Sequence, residues 1–290
     1  MSTTIAFISD IHMDFYIKPE NTSQKRVKKF IDETLKPKKA DILVIAGDTS
    51  HYISQIKLLL TELLNYGYKK ILFTYGNHEM YLVSNNQRNQ YKKSYIKIEE
   101  LKNTLEKISD KIIFLDGNYV EFEGLKIGGL PMWYDYSYGL KLGKSEGEMF
   151  QLWKQVMNDS NYIVFDELIG IDALFSMYSF DKPRIIHFNP MKFFGEQKEK
   201  LLKIIDKLDI VVSHIGPIVP PNLDLKYQTP STGFYYFDGE DILKQFTPKL
   251  WIFGHTHQQF DFMFNKTNLV CNPLGYKSEN KGNEIRMTGI

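Results

Sequence analysis

The sequence runs to 290 residues, of which 43% are hydrophobic and 24% charged, enough to bury a large core and to exclude a disordered or fibrous chain. With 36 basic against 35 acidic residues the formal net charge is +1, so no global field recruits nucleic acid or an anionic membrane. The single cysteine, Cys271, permits no internal disulfide and no Cys-x-x-Cys zinc or redox motif, in keeping with a reducing compartment.

Met1-Ser-Thr-Thr has no basic start and the apolar stretch behind it stops at Asp10. Neither a signal peptide nor a membrane span is expected, and the expected location is cytoplasmic. Short apolar runs rich in β-branched and aromatic residues predict buried strands over residues 4–8, 42–46, 71–75, 210–212 and 250–253. Between the first three lie helical patterns over residues 24–35 and 53–66, the former carrying the basic run Lys25-Arg26-Val27-Lys28-Lys29 on its solvated face. This opening reads as successive βαβ units with a parallel sheet, so the fold class is α/β. The runs 119–122, 126–130, 260–264 and 268–270 have no helix between neighbours, which predicts antiparallel strands and a second sheet. The expectation is a two-sheet β-sandwich flanked by helices, one domain over residues 1–290, with an irregular or helical insertion at about 133–193 near one edge. No internal repeat or low-complexity linker marks a boundary.

The residues that follow the predicted parallel-type strands are Ser9-Asp10-Ile11-His12, Gly47-Asp48, Gly76-Asn77-His78-Glu79, Ser213-His214 and Gly254-His255-Thr256-His257. In open α/β sheets ligands bind beyond the carboxyl ends of the strands, so these five clusters are expected to converge on one crevice. The i, i+2 spacing of Asp10 and His12, and of His255 and His257, lets both side chains of a pair leave one extended segment on the same side. Glycine before Asp48, Asn77 and His255 suits a backbone that passes close to the site. The candidate metal ligands are therefore Asp10, His12, Asp48, Asn77, His214, His255 and His257. Oxygen and imidazole donors without thiolate suit Mn²⁺ first, with Fe or Zn²⁺ as the others. So many donors exceed the needs of one open catalytic ion and suit two, typically ~3.5–4 Å apart, with Asp48 as the natural bridging carboxylate.

These motifs, in this order from Asp10 to His257, resemble the calcineurin-like metallophosphoesterase superfamily. The resemblance implies a four-layer αββα fold, with one metal on Asp10, His12, Asp48 and His257 and a second on Asp48, Asn77, His214 and His255. It also implies that His78 faces the substrate phosphate. Leu130-Pro-Met-Trp-Tyr-Asp135, Met157-Asn-Asp159 and Val270-Cys-Asn-Pro-Leu-Gly-Tyr276 are similar to segments of a subgroup of small, mostly uncharacterised bacterial and phage phosphoesterases. One departure stands out: the phosphoprotein phosphatases of this superfamily continue Gly-Asp-x-x-Asp-Arg-Gly, whereas here the run is Gly47-Asp48-Thr-Ser-His51-Tyr-Ile. The carboxylate that would orient His78 and the phosphate-binding arginine are missing from that place, which argues against a protein phosphatase.

The expected function is therefore a metal-dependent hydrolysis of a phosphomonoester or phosphodiester, with metal-activated hydroxide attacking phosphorus in line. The substrate would be a small phosphoester or nucleotide. His78 is the candidate catalytic residue, supplying a proton or a positive partner to the leaving alkoxide, and Asn77, His78 and His51 are the candidate substrate-binding residues. Glu79 reads either as a carboxylate behind a metal-binding histidine or as a helix N-cap, and His187 as an ordinary histidine. The aromatic clusters 133–136 and 234–237 read as core or lid packing before base stacking. Two rivals remain: a nuclease, disfavoured by the near-neutral charge and the lack of a basic stripe, and a non-catalytic scaffold for protein partners, disfavoured by the complete ligand set.

Overall fold

The computed structural model describes residues 3–166, 170–172 and 184–289 of the chain. In chain order its strands are β1 (Ile5–Ile8), β2 (Ile42–Ala46), β3 (Lys70–Thr74), β4 (Ile112–Phe114), β5 (Asn118–Phe122), β6 (Leu125–Gly129) and β7 (Gly170–Asp172). They continue with β8 (Arg184–Ile186), β9 (Ile210–Val212), β10 (Leu250–Phe253), β11 (Phe260–Phe264), β12 (Thr267–Cys271) and β13 (Arg286–Thr288). One sheet has the order β13-β1-β2-β3-β4 and the other β11-β12-β10-β9-β6-β5.

Burial on both faces explains why the ligand-bearing strands read as unbroken apolar runs rather than alternating ones. Every residue of β1, β2 and β10 is buried. The period-two geometry then sends alternate side chains to two different cores. Ile5, Phe7, Ile42, Val44 and Ala46 meet Ile127, Ile210, Val212, Leu250 and Ile252 of the other sheet, which forms the centre of the sandwich. Their neighbours Ala6, Ile8, Leu43 and Ile45 face outward to Val27, Phe30, Leu59 and Leu63 of the flanking helices. Each such fully buried aliphatic or aromatic side chain contributes roughly 1.5–3 kcal/mol. The architecture is thus α/β, two mixed sheets of five and six strands between helices, as expected.

The helices Gln24–Phe30 and Ile31–Leu35 together fill the predicted pattern 24–35, and Ile53–Leu63 with the turn Leu64–Tyr66 fills 53–66. The antiparallel pairing expected of the second sheet is that of its two edge hairpins, β5–β6 and β11–β12. Its strands β6, β9, β10 and β12 run parallel. The five ligand-bearing ends are therefore divided, three from β1, β2 and β3 and two from β9 and β10.

The segment 133–193 holds the helices Ser137–Lys141, Glu146–Val156 and Asp159–Tyr162, the start of Pro190–Leu202, and the antiparallel pair β7–β8, which the sequence pattern did not reveal. Residues 167–169 and 173–183 of that expected insertion lie outside the described residues. The helix Glu146–Val156 opens on a capping box in which Ser145 accepts from Glu148 N–H while Glu148 accepts from Ser145 N–H. Among the described residues no helix is long and apolar enough to cross a membrane.

Candidate metal centre

The loop after β1 is zipped to the loop after β2 by backbone bonds from Asp10 N to Gly47 O (3.0 Å), His12 N to Asp48 O (3.0 Å) and Met13 N to Thr49 O (2.8 Å). Gly254 N donates to His214 O (2.9 Å), so the ends of β9 and β10 are held together in the same way. The two sheets are cross-tied by the Asp10 carboxylate, which accepts from His255 N–H at 3.0 Å. Five strand ends thus meet at one place, as the motif positions predicted.

Asp10, His12, Asp48, His255 and His257 all sit at positive φ, between 44° and 69°. For residues with a Cβ this left-handed region is sparsely populated and each instance stores about 1–3 kcal/mol, which the surrounding fold must over-determine. A cluster of such residues on neighbouring loops is the backbone signature of a functional site.

The glycines have a steric role here. A Cβ on Gly76 would lie 2.2 Å from Asp48 Oδ1 and 2.6 Å from His214 Nε2. One on Gly47, itself at φ +84°, would lie 2.5 Å from His214 Nδ1. Only glycine lets these turns carry their acidic and amide neighbours so close together.

The donors converge in three overlapping groups, Asp10–His12–His257, His12–Asp48–His78 and Asp48–His214–His255, with the atoms of each within 4.8 Å of one another. Asp48 Oδ2 stands 3.4 Å from His214 Nε2 and 3.9 Å from both His12 Nε2 and His78 Nε2. Asp10 Oδ1 is 3.6 Å from His257 Nε2, and Asn77 Oδ1 is 3.1 Å from His214 Nε2. All seven sequence-predicted ligands are brought together, and all but His257, at 20% side-chain exposure, are buried.

Hydrogen bonds behind the cluster fix which ring nitrogens face it. His214 Nδ1–H donates to Ala46 O (2.9 Å) and His255 Nε2–H to Phe234 O (3.1 Å), and these carbonyls can only accept. The nitrogens left over, His214 Nε2 and His255 Nδ1, then face each other with their lone pairs at 3.2 Å. That approach needs a positive charge between them, a proton or a metal cation. His257 Nδ1 is likewise held by Glu279 at 2.7 Å, which turns its Nε2 to His12 Nε2 at 2.9 Å. The donor set fits divalent cations, and each backing acceptor is of the kind that orients metal-binding imidazoles.

Electrostatics agree. Burial alone would depress His214, yet the Asp48 carboxylate, with help from Asp10, raises it to about 10, so a proton stands where a cation would bind. Burial first, and neighbouring imidazoles next, hold His12 and His255 well below the usual histidine range, leaving their lone pairs free. A group raised in this way must lose its proton to coordinate, so cation affinity should climb with pH up to about 10. We expect cation binding at pH 7.5 to release close to one proton. Calorimetric titration with Mn²⁺ in two buffers of different ionisation enthalpy checks this, and an enthalpy independent of buffer would contradict it.

Glu79, which the sequence left between two roles, is fully buried. It accepts from the backbone N–H groups of Gly76 (2.7 Å), Asp48 (2.9 Å), Thr49 (2.6 Å) and Ser50 (3.4 Å), so it caps the turn after β3 and the turn after β2 at once. Burial, and then the Asp48 charge, raise its pKa to about 7. Glu79→Gln keeps the shape but aims an NH₂ at two of these donors whichever way the amide turns. Leaving two buried donors unpaired costs about 2–6 kcal/mol, so the melting temperature should fall by roughly 5–20 °C. Thermal unfolding checks this.

His51 is paired through Nδ1 to Asp14 Oδ2 at 2.5 Å and stacks on His78 at a centroid distance of 4.5 Å. Its Nε2 is buried without a partner, so the structure brings it against His78 and not directly into the cluster. Asp14, the fifth residue of Asp-x-His-x-Asp, was a missed signal. Asn272 and Gly275 serve the turn after β12: Asn272 Nδ2 donates to Phe7 O and Glu284 O, and Gly275 N donates to Asp10 O. His187 lies apart, in a separate cavity of about 580 Å³ with Tyr75 and Gln197.

The cluster floors a cleft of about 680 Å³ whose walls include Met157, Asn158, Tyr227, Tyr235, Tyr276 and Lys281. Val156, Tyr227 and Tyr235 add exposed apolar surface to it. No arginine is among its described lining residues.

A family model described as calcineurin-like phosphoesterase matches residues 3–259. The uncharacterized protein L509 of Acanthamoeba polyphaga mimivirus is 20% identical over 288 residues, covering 95% of this chain and 92% of that one. The solved structure of phosphopantetheinyl hydrolase (PptH) from Mycobacterium tuberculosis matches with a TM-score of 0.73 at 16% identity, over 99% of this chain and 96% of that one. TT1561 of Thermus thermophilus matches with a TM-score of 0.50 at 9% identity, over 100% and 99%. At such identities these two structures show a shared fold alone.

Proposed function

This chain belongs to the calcineurin-like phosphoesterase family, and from that premise we propose that it is a dinuclear metal-dependent hydrolase acting on a phosphodiester of a small molecule. The observation that carries the reading is the set of three overlapping donor groups sharing His12 and Asp48 at the floor of one cleft. Asp10, His12, Asp48 and His257 would hold one cation, and Asp48, Asn77, His214 and His255 the other. Mn²⁺ is the first choice for both. When bound, two such cations offset phosphoryl charge and acidify water near neutral pH.

The chain's own residues do the rest. Asp48 lies between the two groups, near His214 and His12, and its charge offsets the desolvation of His214. His78, seated over Asp48 at the cleft wall, offers a ring N–H to a phosphoryl or leaving oxygen. Tyr276, whose hydroxyl lies 3.4 Å from His78 Nε2, closes the same side.

The cleft supports a preference for a diester. A monoester dianion calls for strong additional cations, whereas here the walls offer Lys281 and Lys226, the latter already paired with Asp224 at 3.4 Å. The volume and the aromatic walls leave room for two substituents on phosphorus. The similarly folded phosphopantetheinyl hydrolase supports looking among extended, partly apolar phosphoesters. The chain is read as one catalytic unit because ligands come from both its halves, and as a cytoplasmic one because its single cysteine suits a reducing compartment.

The test is hydrolysis of bis-p-nitrophenyl phosphate and p-nitrophenyl phosphate by chelator-stripped protein with Mn²⁺, Fe²⁺, Zn²⁺ or Mg²⁺ restored. A higher kcat/KM for the diester is expected with Mn²⁺. Inactivity toward both esters with two ions bound would sink the proposal.

A further inference from the structure

Asp159 is a fully buried carboxylate supplied by the segment 133–193, and no ion pair of Asp159 is found among the described residues. Its partners are neutral donors. Tyr81 O–H donates to Oδ1 at 2.5 Å, Asn77 Nδ2 donates to the same oxygen at 3.0 Å, and the Tyr134 hydroxyl donates to Oδ2. Trp153 Nε1–H in turn donates to the Tyr134 hydroxyl at 2.5 Å. Tyr134 and Trp153 are fully buried and Tyr81 nearly so, which leaves the carboxylate no water to lean on.

This network decides which way the Asn77 amide points. Carboxylate Oδ1 can only accept, so the Asn77 atom facing it must be the NH₂. Tyr81 spends its hydroxyl proton on Asp159, so its oxygen accepts from the same NH₂ at 2.7 Å. Both contacts demand the nitrogen, and the carbonyl oxygen is left facing His214 Nε2. An amide is otherwise free to turn over and would then present an N–H, useless to a cation. Donating to a carboxylate also makes the amide oxygen a stronger donor to metal.

We infer that Asp159, held by Tyr81 and Tyr134, is the positioning residue that locks Asn77 oxygen-first toward the metal centre, so that residues 134–159 set the affinity of one cation. The inference rests on the dinuclear reading above. It also accounts for a carboxylate buried without a cation from the protein: the balancing charge is the metal, reached through one amide. An unbalanced buried charge is a burden on the metal-free fold.

That burden separates positioning from ordinary structural support. Asp159→Asn, and Tyr134→Phe as a milder second variant, are compared with wild type by Mn²⁺ calorimetry on chelator-stripped protein and by melting of the metal-free protein. The expected result for D159N is one site weakened about 10–100-fold with the other unchanged, and a metal-free melting temperature equal to or above wild type. Y134F should weaken the same site by less. Two wild-type-like sites in D159N would overturn the inference, as would a metal-free melting temperature that falls alongside the affinity. Wild type taking up a single ion would instead refute the dinuclear reading, and the inference would then stand or fall on whether D159N weakens that ion.

Discussion

Asp48→Asn is expected to strip both cations from the protein and to lower hydrolysis of bis-p-nitrophenyl phosphate by about 10³-fold or more, the scale of several kcal/mol of lost charge stabilisation. The size follows from position. Asp48 is 2% exposed, and its carboxylate is the one that His12, His78 and His214 all approach. Burial opposes its charge, but the His214 imidazolium, by its charge and its hydrogen bond, outweighs it and holds the carboxyl well below the usual range. The amide variant keeps an oxygen for the His78 backbone N–H, which Oδ1 now receives at 2.9 Å, so the turn after β3 should survive. What changes is the other end, where an NH₂ would face imidazole nitrogens that need a negative neighbour. With Asp48 neutral, the His214 pKa should fall and its proton leave, which limits the loss of stability in the metal-free state. Metal content after gel filtration is the decisive measurement. Two retained ions with activity gone would mean that Asp48 does not bridge.

The difference between what was legible in the sequence and what was not follows the range of the interactions. The buried strands β1, β2, β3, β9 and β10 announce themselves because each has an apolar run of at least three residues, and the ligand motifs are read because each follows such a run within a few residues. β13 escaped because it is an edge strand whose Arg286 and Thr288 look like loop. Which sheet β9 and β10 join is not written locally, since a parallel strand carries no turn linking it to its neighbour. The same limit applies at the site. Asp10, His12, Asp48, Asn77, His214, His255 and His257 sit in compact motifs, whereas Asp159 reaches Asn77 across 82 positions and Glu279 reaches His257 across 22. Contacts of that kind come from packing. The aromatic run 133–136, read as core packing, does pack, yet Tyr134 also carries the hydroxyl that holds Asp159. Glu79 is the intermediate case. Its N-cap role was open to sequence reasoning, and its second role, clasping the Asp48 turn, was not.

Replacing His78 by asparagine should leave both cations bound and lower kcat by about 10²–10⁴-fold, the usual contribution of a positioned proton-transfer or hydrogen-bonding group. The prediction has a competitor within the structure itself, because the donor atom of His78 forms one of the three compact groups, with His12 and Asp48. Were His78 a ligand, metal content would fall in step with activity. The geometry favours a different duty. Its ring stacks on His51 at 4.5 Å and packs edge-on to His12 at 4.4 Å, an arrangement that fixes the ring plane at the cleft wall. Burial lowers its pKa to about 3, and cations nearby act in the same direction, so in the unliganded site the ring is neutral at every working pH. A depressed histidine pKa means that the charged form is absent above it, so kcat/KM between pH 5 and 9 should show no limb belonging to His78. An arriving phosphoester brings negative charge, which pulls the pKa upward, and the ring can then stabilise charge as it develops rather than carry it beforehand. The pH profiles of wild type and H78N should therefore be parallel and displaced, with any limbs common to both. A limb near pH 6.5 present in wild type and missing from H78N would show that His78 is charged before substrate binds.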